Sequence, residues 1–133
     1  MTPPDPFVSG ADNFRDVGGL PAEGGRTRSG VLYRSGHLAR LDDDGRRSLA
    51  ELGIRRVIDL RADEEVAHSP SRLDGLDVDM QRVPLFLGSV ESLFAQDLSL
   101  SEMYRSIVDD SAPAVAAVVR GVLVDQPVIV HCT

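Results

Sequence analysis

The sequence is poor in several residue types that often define a protein's core or chemistry. It contains no tryptophan and no lysine, and only 5% of its residues are aromatic. Its core must therefore be built mostly from Val, Leu, Ile and Ala. A single cysteine, Cys132, excludes an internal disulfide and is typical of a reducing compartment. We therefore expect a cytoplasmic protein, with export by a route that needs no signal peptide left open.

Two kinds of targeting segment are also missing. No apolar run approaches the roughly 20 residues of a membrane span, so stable membrane insertion is not expected. Residues 1–5 have neither the basic region nor the apolar segment of a signal peptide. A net charge of −7 argues against nucleic-acid binding, which needs a basic surface. All 14 basic residues are arginine, either from coding bias or because phosphate is bound by guanidinium groups.

The order of segments predicts one α/β domain. Residues 1–12 are rich in Pro, Gly and Asp and are expected to be a loosely ordered lead-in, with residues 13–133 forming the N-terminal part of a single domain. Short strands are predicted at 14–17, 31–34, 55–60, 78–83 and 126–130, the last three buried. Helices are predicted at 46–52, at 89–97, and from about 101 and 111 onward. This alternation favours a mostly parallel central sheet flanked by helices.

Local signals refine two of these helices. Asp42 is a plausible N-cap and Gly53 a plausible C-terminal stop for the helix at 46–52. Ser111 is predicted to cap the last helix. In that helix Val115, Val118, Val119 and Val122 fall at helical spacing and predict one apolar face.

The chain closes on His131-Cys132-Thr133, directly after the last strand. Ligands of parallel sheets bind at the carboxyl ends of the strands, which is where Cys132 lies. A thiolate there, cradled by backbone N–H groups, could attack phosphorus and form a phosphocysteine. A buried cysteine can equally be a small core residue. Zinc ligation by His131 and Cys132 is disfavoured because neighbouring strand side chains point to opposite faces, so no metal is expected.

Four short motifs in a fixed order indicate a family. They are NFRDVGG at 13–19, LYRSGHL at 32–38, DLR at 59–61 and HCT at 131–133. With them the chain resembles the bacterial branch of the tyrosine phosphatase superfamily, over nearly all of its length from Asn13 onward. The resemblance implies a tyrosine-phosphatase-like fold, no cofactor, and a phosphorylated protein or phosphoinositide as substrate.

The resemblance also implies roles for single residues. Cys132 would be the nucleophile, Thr133 would begin the phosphate-binding loop through its N–H, and His131 would support that loop. Asp59 and Asp63 are fallback candidates for the general acid. Substrate-binding roles would belong to four residues of the other motifs, namely Arg15, Asp16, Arg34 and Arg61.

Each of those assignments has a structural alternative. Arg15 could pair with a neighbouring acid, and Asp16 could cap the turn at Gly18. Arg34 could form an ion pair across the sheet. Asp59 and Arg61 could form a structural salt bridge, and this is the expected role of at least one of them.

The family pattern continues with five residues and an arginine after the cysteine, and often supplies the acid there. This chain provides only Thr133 of that loop, so we expect the 133 residues alone to lack useful activity and the fold to lack its C-terminal helices. A non-catalytic module that binds phosphorylated partners is the main alternative function, and a rhodanese-like sulfurtransferase is a weaker one. The oligomeric state is open.

Overall fold

The computed structural model of the protein describes residues 4–85 and 99–133. The helix predicted at 89–97 lies outside these residues. Four helices are described: α1 (Asp43–Glu51), α2 (Asp63–His68), α3 (Leu100–Asp110) and α4 (Ala112–Val124). None of them is long and apolar enough to cross a bilayer. The described strands are β1 (Arg15–Asp16), β2 (Pro21–Ala22), β3 (Gly25–Arg26), β4 (Leu32–Ser35), β5 (Arg56–Asp59), β6 (Asp79–Arg82) and β7 (Val128–His131).

A mostly parallel sheet organises the domain, as predicted. Its strand order is β1-β4-β7-β5-β6, in which only β1 runs antiparallel to its neighbour. The strand β7 lies at the centre because its Val-Ile-Val sequence can be buried on both faces, and Ile129 has no exposed surface. Its register with β4 and β5 places Ser35, His131 and Asp59 side by side at the carboxyl edge.

The two faces of the sheet pack into separate hydrophobic clusters. One contains Val57 and Ile129 together with Leu49 of α1, and within it the rings of Phe14 and Tyr33 stack at 5.2 Å. The other contains Ile58 and Val128, covered by α4. Residues next to each other in β5 and β7 thus belong to different clusters, as the two-residue period of a strand requires.

The apolar face predicted for α4 is partly wrong. Val118 and Val122 pack on the sheet as expected, but their companions are Ala114 and Ala117, and Val119 is 52% exposed. The helix is apolar almost all round, so spacing alone does not determine which side is buried. Gly121 decides it, because a Cβ there would lie 3.0 Å from the Cδ1 of Ile58.

The predicted helix ends are confirmed for α1 but not for α4. Asp42 caps α1 by accepting a hydrogen bond from the Gly45 N–H at 2.7 Å, and Gly53 follows the helix with φ of +72°. Ser111 precedes α4, but its hydroxyl donates to the Leu85 carbonyl at 3.2 Å and caps nothing. The hydroxyl donates to this distant carbonyl, and its oxygen accepts no hydrogen bond from a backbone N–H of the first turn.

Two strand predictions also need correction. The stretch 18–30 contains a hairpin, β2 and β3, that was not predicted because two exposed residues per strand give no alternating pattern. The predicted strand at 78–83 forms β6, but it is an exposed edge strand and not a buried one. Among the strands that the structure describes, β6 is hydrogen-bonded to β5 on one side and to none on the other.

Packing extends into the expected lead-in. Val8 and Ala11 are 2% and 8% exposed and belong to the first cluster. The Ser9 hydroxyl donates to the Asp42 carboxylate at 2.5 Å, and a Cβ at Gly45 would lie 2.1 Å from the Ser9 carbonyl oxygen. The first turn of α1 is therefore in direct contact with this segment.

We predict that Gly45→Ala destabilises the protein by about 1–3 kcal/mol, because the added methyl group overlaps the Ser9 carbonyl. In an open helix the same change would stabilise by about 1 kcal/mol. Urea unfolding followed by far-UV circular dichroism measures the difference. Glu51→Ala, at an exposed position of α1, is the control and should change the unfolding free energy by less than about 0.5 kcal/mol. A stabilising Gly45→Ala would show that residues 8–11 do not pack here.

Candidate active site

A cavity of about 780 Å³ opens at the carboxyl edge of the sheet, beside Cys132. Its polar wall comes from the end of β4 and the turn after it, with Arg34 and His37, and from Thr133. Its apolar wall comes largely from α4, including Val118 and Leu123. The parallel register of β4 and β7 explains the placement, because both strands end at this edge.

Cys132 is a half-buried free thiol in this cavity. Burial raises the pKa of the thiol, and the carboxylates of Glu65 and Asp59 raise it further. Hydrogen bonds from the N–H and hydroxyl of Thr133 act in the opposite direction and lower the pKa. The balance keeps the pKa of Cys132 above its ordinary value, so the thiol form predominates at neutral pH in these surroundings.

His131 is 2% exposed and contacts the backbone of its neighbour. Its Nδ1 lies 2.9 Å from the Cys132 carbonyl oxygen, which can only accept, so Nδ1 carries the proton and donates. Burial lowers the pKa of His131, which favours this neutral tautomer. Within residues 4–85 and 99–133 its Nε2 has no hydrogen-bond partner, and it lies 3.8 Å from Oδ2 of Asp59. This geometry supports the predicted supporting role.

Asp59 and Arg61 form an ion pair that is closed to solvent, with 0% and 1% of each residue exposed. Nε and Nη2 of Arg61 donate to the two carboxylate oxygens at 3.0 and 2.9 Å, and its backbone N–H donates to Oδ1 at 3.0 Å. Burial raises the pKa of Asp59, but the hydrogen bonds from Arg61 outweigh burial and leave that pKa below its ordinary value. The carboxylate is therefore ionised, and both of its oxygens accept hydrogen bonds from Arg61.

This geometry argues against two predicted roles. A general acid must carry a proton, and Asp59 has both oxygens committed to Arg61 and a lowered pKa. Arg61 cannot reach a substrate while it holds Asp59, and its Nη1 also donates to the Ser69 carbonyl at 2.7 Å. The structural salt bridge, the alternative reading of this pair, is the one that the geometry supports.

Asp63, the other candidate acid, and Asp16 also have partners elsewhere in the fold. Asp63 forms an ion pair with Arg82 at 2.5 Å and does not line the cavity of Cys132. Asp16 accepts from the Gly18 N–H at 2.7 Å and from the Gly30 N–H at 2.8 Å. Its two oxygens hold the turns on either side of the hairpin, which supports the capping alternative over substrate binding.

Arg15 and Arg34 differ from Arg61 in having free guanidinium groups. They face each other across β1 and β4. Neither forms an ion pair with any carboxylate of residues 4–85 and 99–133. Arg34 is exposed and lines the cavity, whereas Arg15 is half-buried. Both remain candidates for substrate contact.

Two site residues were missed in the sequence. Glu65, half-buried on α2, is the carboxylate that acts most strongly on the pKa of Cys132. His37 lines the cavity, and its Nδ1 accepts from the Ala39 N–H at 3.2 Å. The signal was available, because both follow strands that end at the carboxyl edge. Across the described ranges, no three His, Cys, Asp or Glu side chains come together as a metal site.

Comparison with known proteins finds a family match over nearly the whole chain. The sequence model of the tyrosine phosphatase family matches residues 6–133. The chain is 48% identical over 79 residues to the triple specificity protein phosphatase PtpB of Mycobacterium tuberculosis, covering 58% of this chain and 28% of that protein. It is 35% identical over 112 residues to a tyrosine-protein phosphatase of Nostoc commune, covering 77% of this chain and 37% of that protein. The chain thus spans about a third of the length of these relatives.

We predict that Arg61→Leu destabilises the protein by about 3–5 kcal/mol, because it leaves the buried Asp59 charge without a partner. Arg47→Leu, which breaks an exposed pair with Asp44, should cost no more than about 1 kcal/mol. Urea unfolding of both variants tests the difference. If Arg61→Leu does not fold, the double variant with Asp59→Asn should regain stability, because the uncompensated charge is gone. Equal losses in the two single variants would contradict a buried pair.

We further predict that stability falls as the pH drops from 7.5 to 5.5. The pKa of His131 is lowered in the folded state, so the unfolded chain takes up a proton first, near its ordinary pKa of about 6.5. The lowered pKa of Asp59 removes stability only at more acidic pH, near 4 and below. Unfolding free energies at three pH values should show a shallower slope for His131→Gln. The exposed His68→Gln should keep the wild-type slope, and an unchanged slope in His131→Gln would refute the assignment.

Proposed function

Because the chain belongs to the tyrosine phosphatase family, we propose that the protein hydrolyses phosphate monoesters through a phosphocysteine on Cys132. The observation that carries the proposal is the position of the thiol. It follows the central strand β7 at the carboxyl edge of the sheet and opens into the cavity, and the adjacent N–H and hydroxyl of Thr133 act to lower its pKa. The same N–H is suited to an oxygen of a phosphate on the sulfur.

The proposed reaction has two steps. The Cys132 thiolate attacks phosphorus, the P–S bond forms, and the P–O bond to the leaving group breaks as that oxygen takes a proton. Water then attacks phosphorus, the P–S bond breaks, and inorganic phosphate and the thiolate are released. His131 would hold the Cys132 carbonyl and so orient the sulfur, without taking a proton itself.

The substrate is proposed from the relatives' names and the charge of the site. One relative is called a tyrosine-protein phosphatase and the other a triple specificity protein phosphatase. We therefore propose a phosphorylated protein, with phosphotyrosine among its accepted residues, and a cytoplasmic location consistent with a single reduced cysteine. Since the chain spans 28% and 37% of these two relatives, the activity of the whole protein is part of the proposal.

One observation favours a second function, phosphate binding without turnover. The pKa of Cys132 is raised by burial and by Glu65, and a protonated thiol is a poor nucleophile. A site of this kind could still hold a phosphorylated partner through Thr133 and the arginines. The two functions differ in whether a phosphocysteine forms.

We predict that the protein purified from the cells that make it hydrolyses p-nitrophenyl phosphate and that Cys132→Ser abolishes this activity. Rapid acid quenching with ³²P-labelled substrate should trap one phosphate on Cys132. The intact mass of the preparation, against 14.4 kDa for the 133 residues, identifies the chain that carries the activity. Arg55→Gln, just before the amino end of β5 and so at the opposite edge of the sheet from Cys132, should retain activity. Phosphopeptide binding without turnover or trapped phosphate would favour the second function instead.

A further inference from the structure

Arg15 and Arg34 are direct cross-strand partners in the antiparallel pair of β1 and β4. Side chains at such positions leave the same face of the sheet about 5 Å apart. Two like charges so placed destabilise a sheet when nothing neutralises them. Here no carboxylate of the described ranges lies within ion-pair distance of either guanidinium.

Two arginines on the other side of β7 do have acidic partners. Arg61 is neutralised by Asp59, and Arg82 by Asp63. Asp12, the one carboxylate that lines the cavity, accepts from Nη2 of Arg40 at 2.7 Å and is therefore occupied. In a protein with net charge −7, carboxylates are abundant, and yet none in the part of the chain that the structure describes pairs with these two cations. The arrangement suits an anion that comes from outside the described chain.

The pair lies close to Cys132 but does not coincide with it. Arg34 is in register with Val130, two residues before Cys132 on the neighbouring strand. Two residues along a strand and one strand across place the two backbone positions about 8 Å apart. A phosphate bonded to the sulfur and an anion held between the two guanidinium groups would therefore be neighbours, at the separation of two phosphate groups on one substrate.

We propose that Arg15 and Arg34 form a subsite for a second phosphate group of the substrate, beside the phosphate that Cys132 attacks. Arginine suits this task because its planar guanidinium donates two parallel hydrogen bonds to phosphate oxygens. The substrate class becomes a phosphate monoester that carries a second phosphate nearby. The location of the first phosphate rests on the proposed function, whereas anion binding by the two arginines does not require turnover.

The test measures binding in the Cys132→Ser protein, where no turnover occurs. Isothermal titration at 150 mM salt compares inorganic phosphate with pyrophosphate, and a singly with a doubly phosphorylated peptide. Inositol 1-phosphate and inositol 1,4-bisphosphate form a third pair, which separates a lipid headgroup from a peptide as the source of the second phosphate. We expect the doubly charged member of at least one pair to bind at least tenfold more tightly.

Variants then locate the subsite. Arg34→Gln and Arg15→Gln should each reduce that preference to threefold or less, and both should fold because removing one of two facing cations relieves repulsion. The control is Arg55→Gln, an exposed arginine before β5 at the opposite edge, which changes the net charge equally and should keep the preference.

Equal affinity for one and two phosphates, or an equal loss in Arg55→Gln and Arg34→Gln, would overturn the subsite. These outcomes are separate from a failure of the proposed function. If the preference depends on Arg34 but the protein shows no Cys132-dependent turnover, the proposed phosphatase activity is wrong and the subsite proposal stands. Turnover without the preference would support the phosphatase activity and overturn the subsite.

Discussion

The buried ion pair between Asp59 and Arg61 is the interaction on which the candidate site depends. A carboxylate closed to solvent is costly unless a partner and hydrogen bonds satisfy it, and Arg61 supplies both from its side chain and its backbone. The pair also fastens the end of β5 to the Ser69 carbonyl after α2. Asp59 is in register with His131, and its carboxylate faces Nε2 of this histidine. Nδ1 of the same histidine donates to the Cys132 carbonyl.

This pair also divides the arginines of the edge into two groups. The guanidinium of Arg61 donates to Asp59 and to the Ser69 carbonyl, so it stabilises the site and cannot also bind a ligand there. Arg34 lies on β4, which β7 separates from β5, at the same edge but on the other face of the sheet, and its guanidinium has no ion pair to the described residues. Successive side chains along a strand point to opposite faces of the sheet. This alternation places Arg34 and Arg61 on different faces.

The same alternation explains how much the sequence could predict. The central strands were predictable because a continuous apolar run can only be buried on both faces, and the edge that carries Cys132 followed from the parallel sheet. The ends of α1 were predictable because Asp42 and Gly53 act locally. The local partners of Asp59 and Asp16, Arg61 and Gly18, were among the alternatives that the sequence offered. The Leu85 carbonyl that accepts from Ser111 was not, because the tertiary fold brings it near from 26 residues away.

The charges around Cys132 follow from these constraints. Asp59 is next to His131 in the register, but Glu65 raises the pKa of the thiol more than Asp59 does. Asp59 is already paired with the guanidinium of Arg61. The Glu65 carboxylate has no hydrogen bond or ion pair to the described residues, and its charge raises the pKa of Cys132. A phosphate bound as we propose would lie near the Glu65 carboxylate. Arg34, which lines the cavity without an ion pair to the described residues, and its cross-strand partner Arg15 are placed to offset that charge.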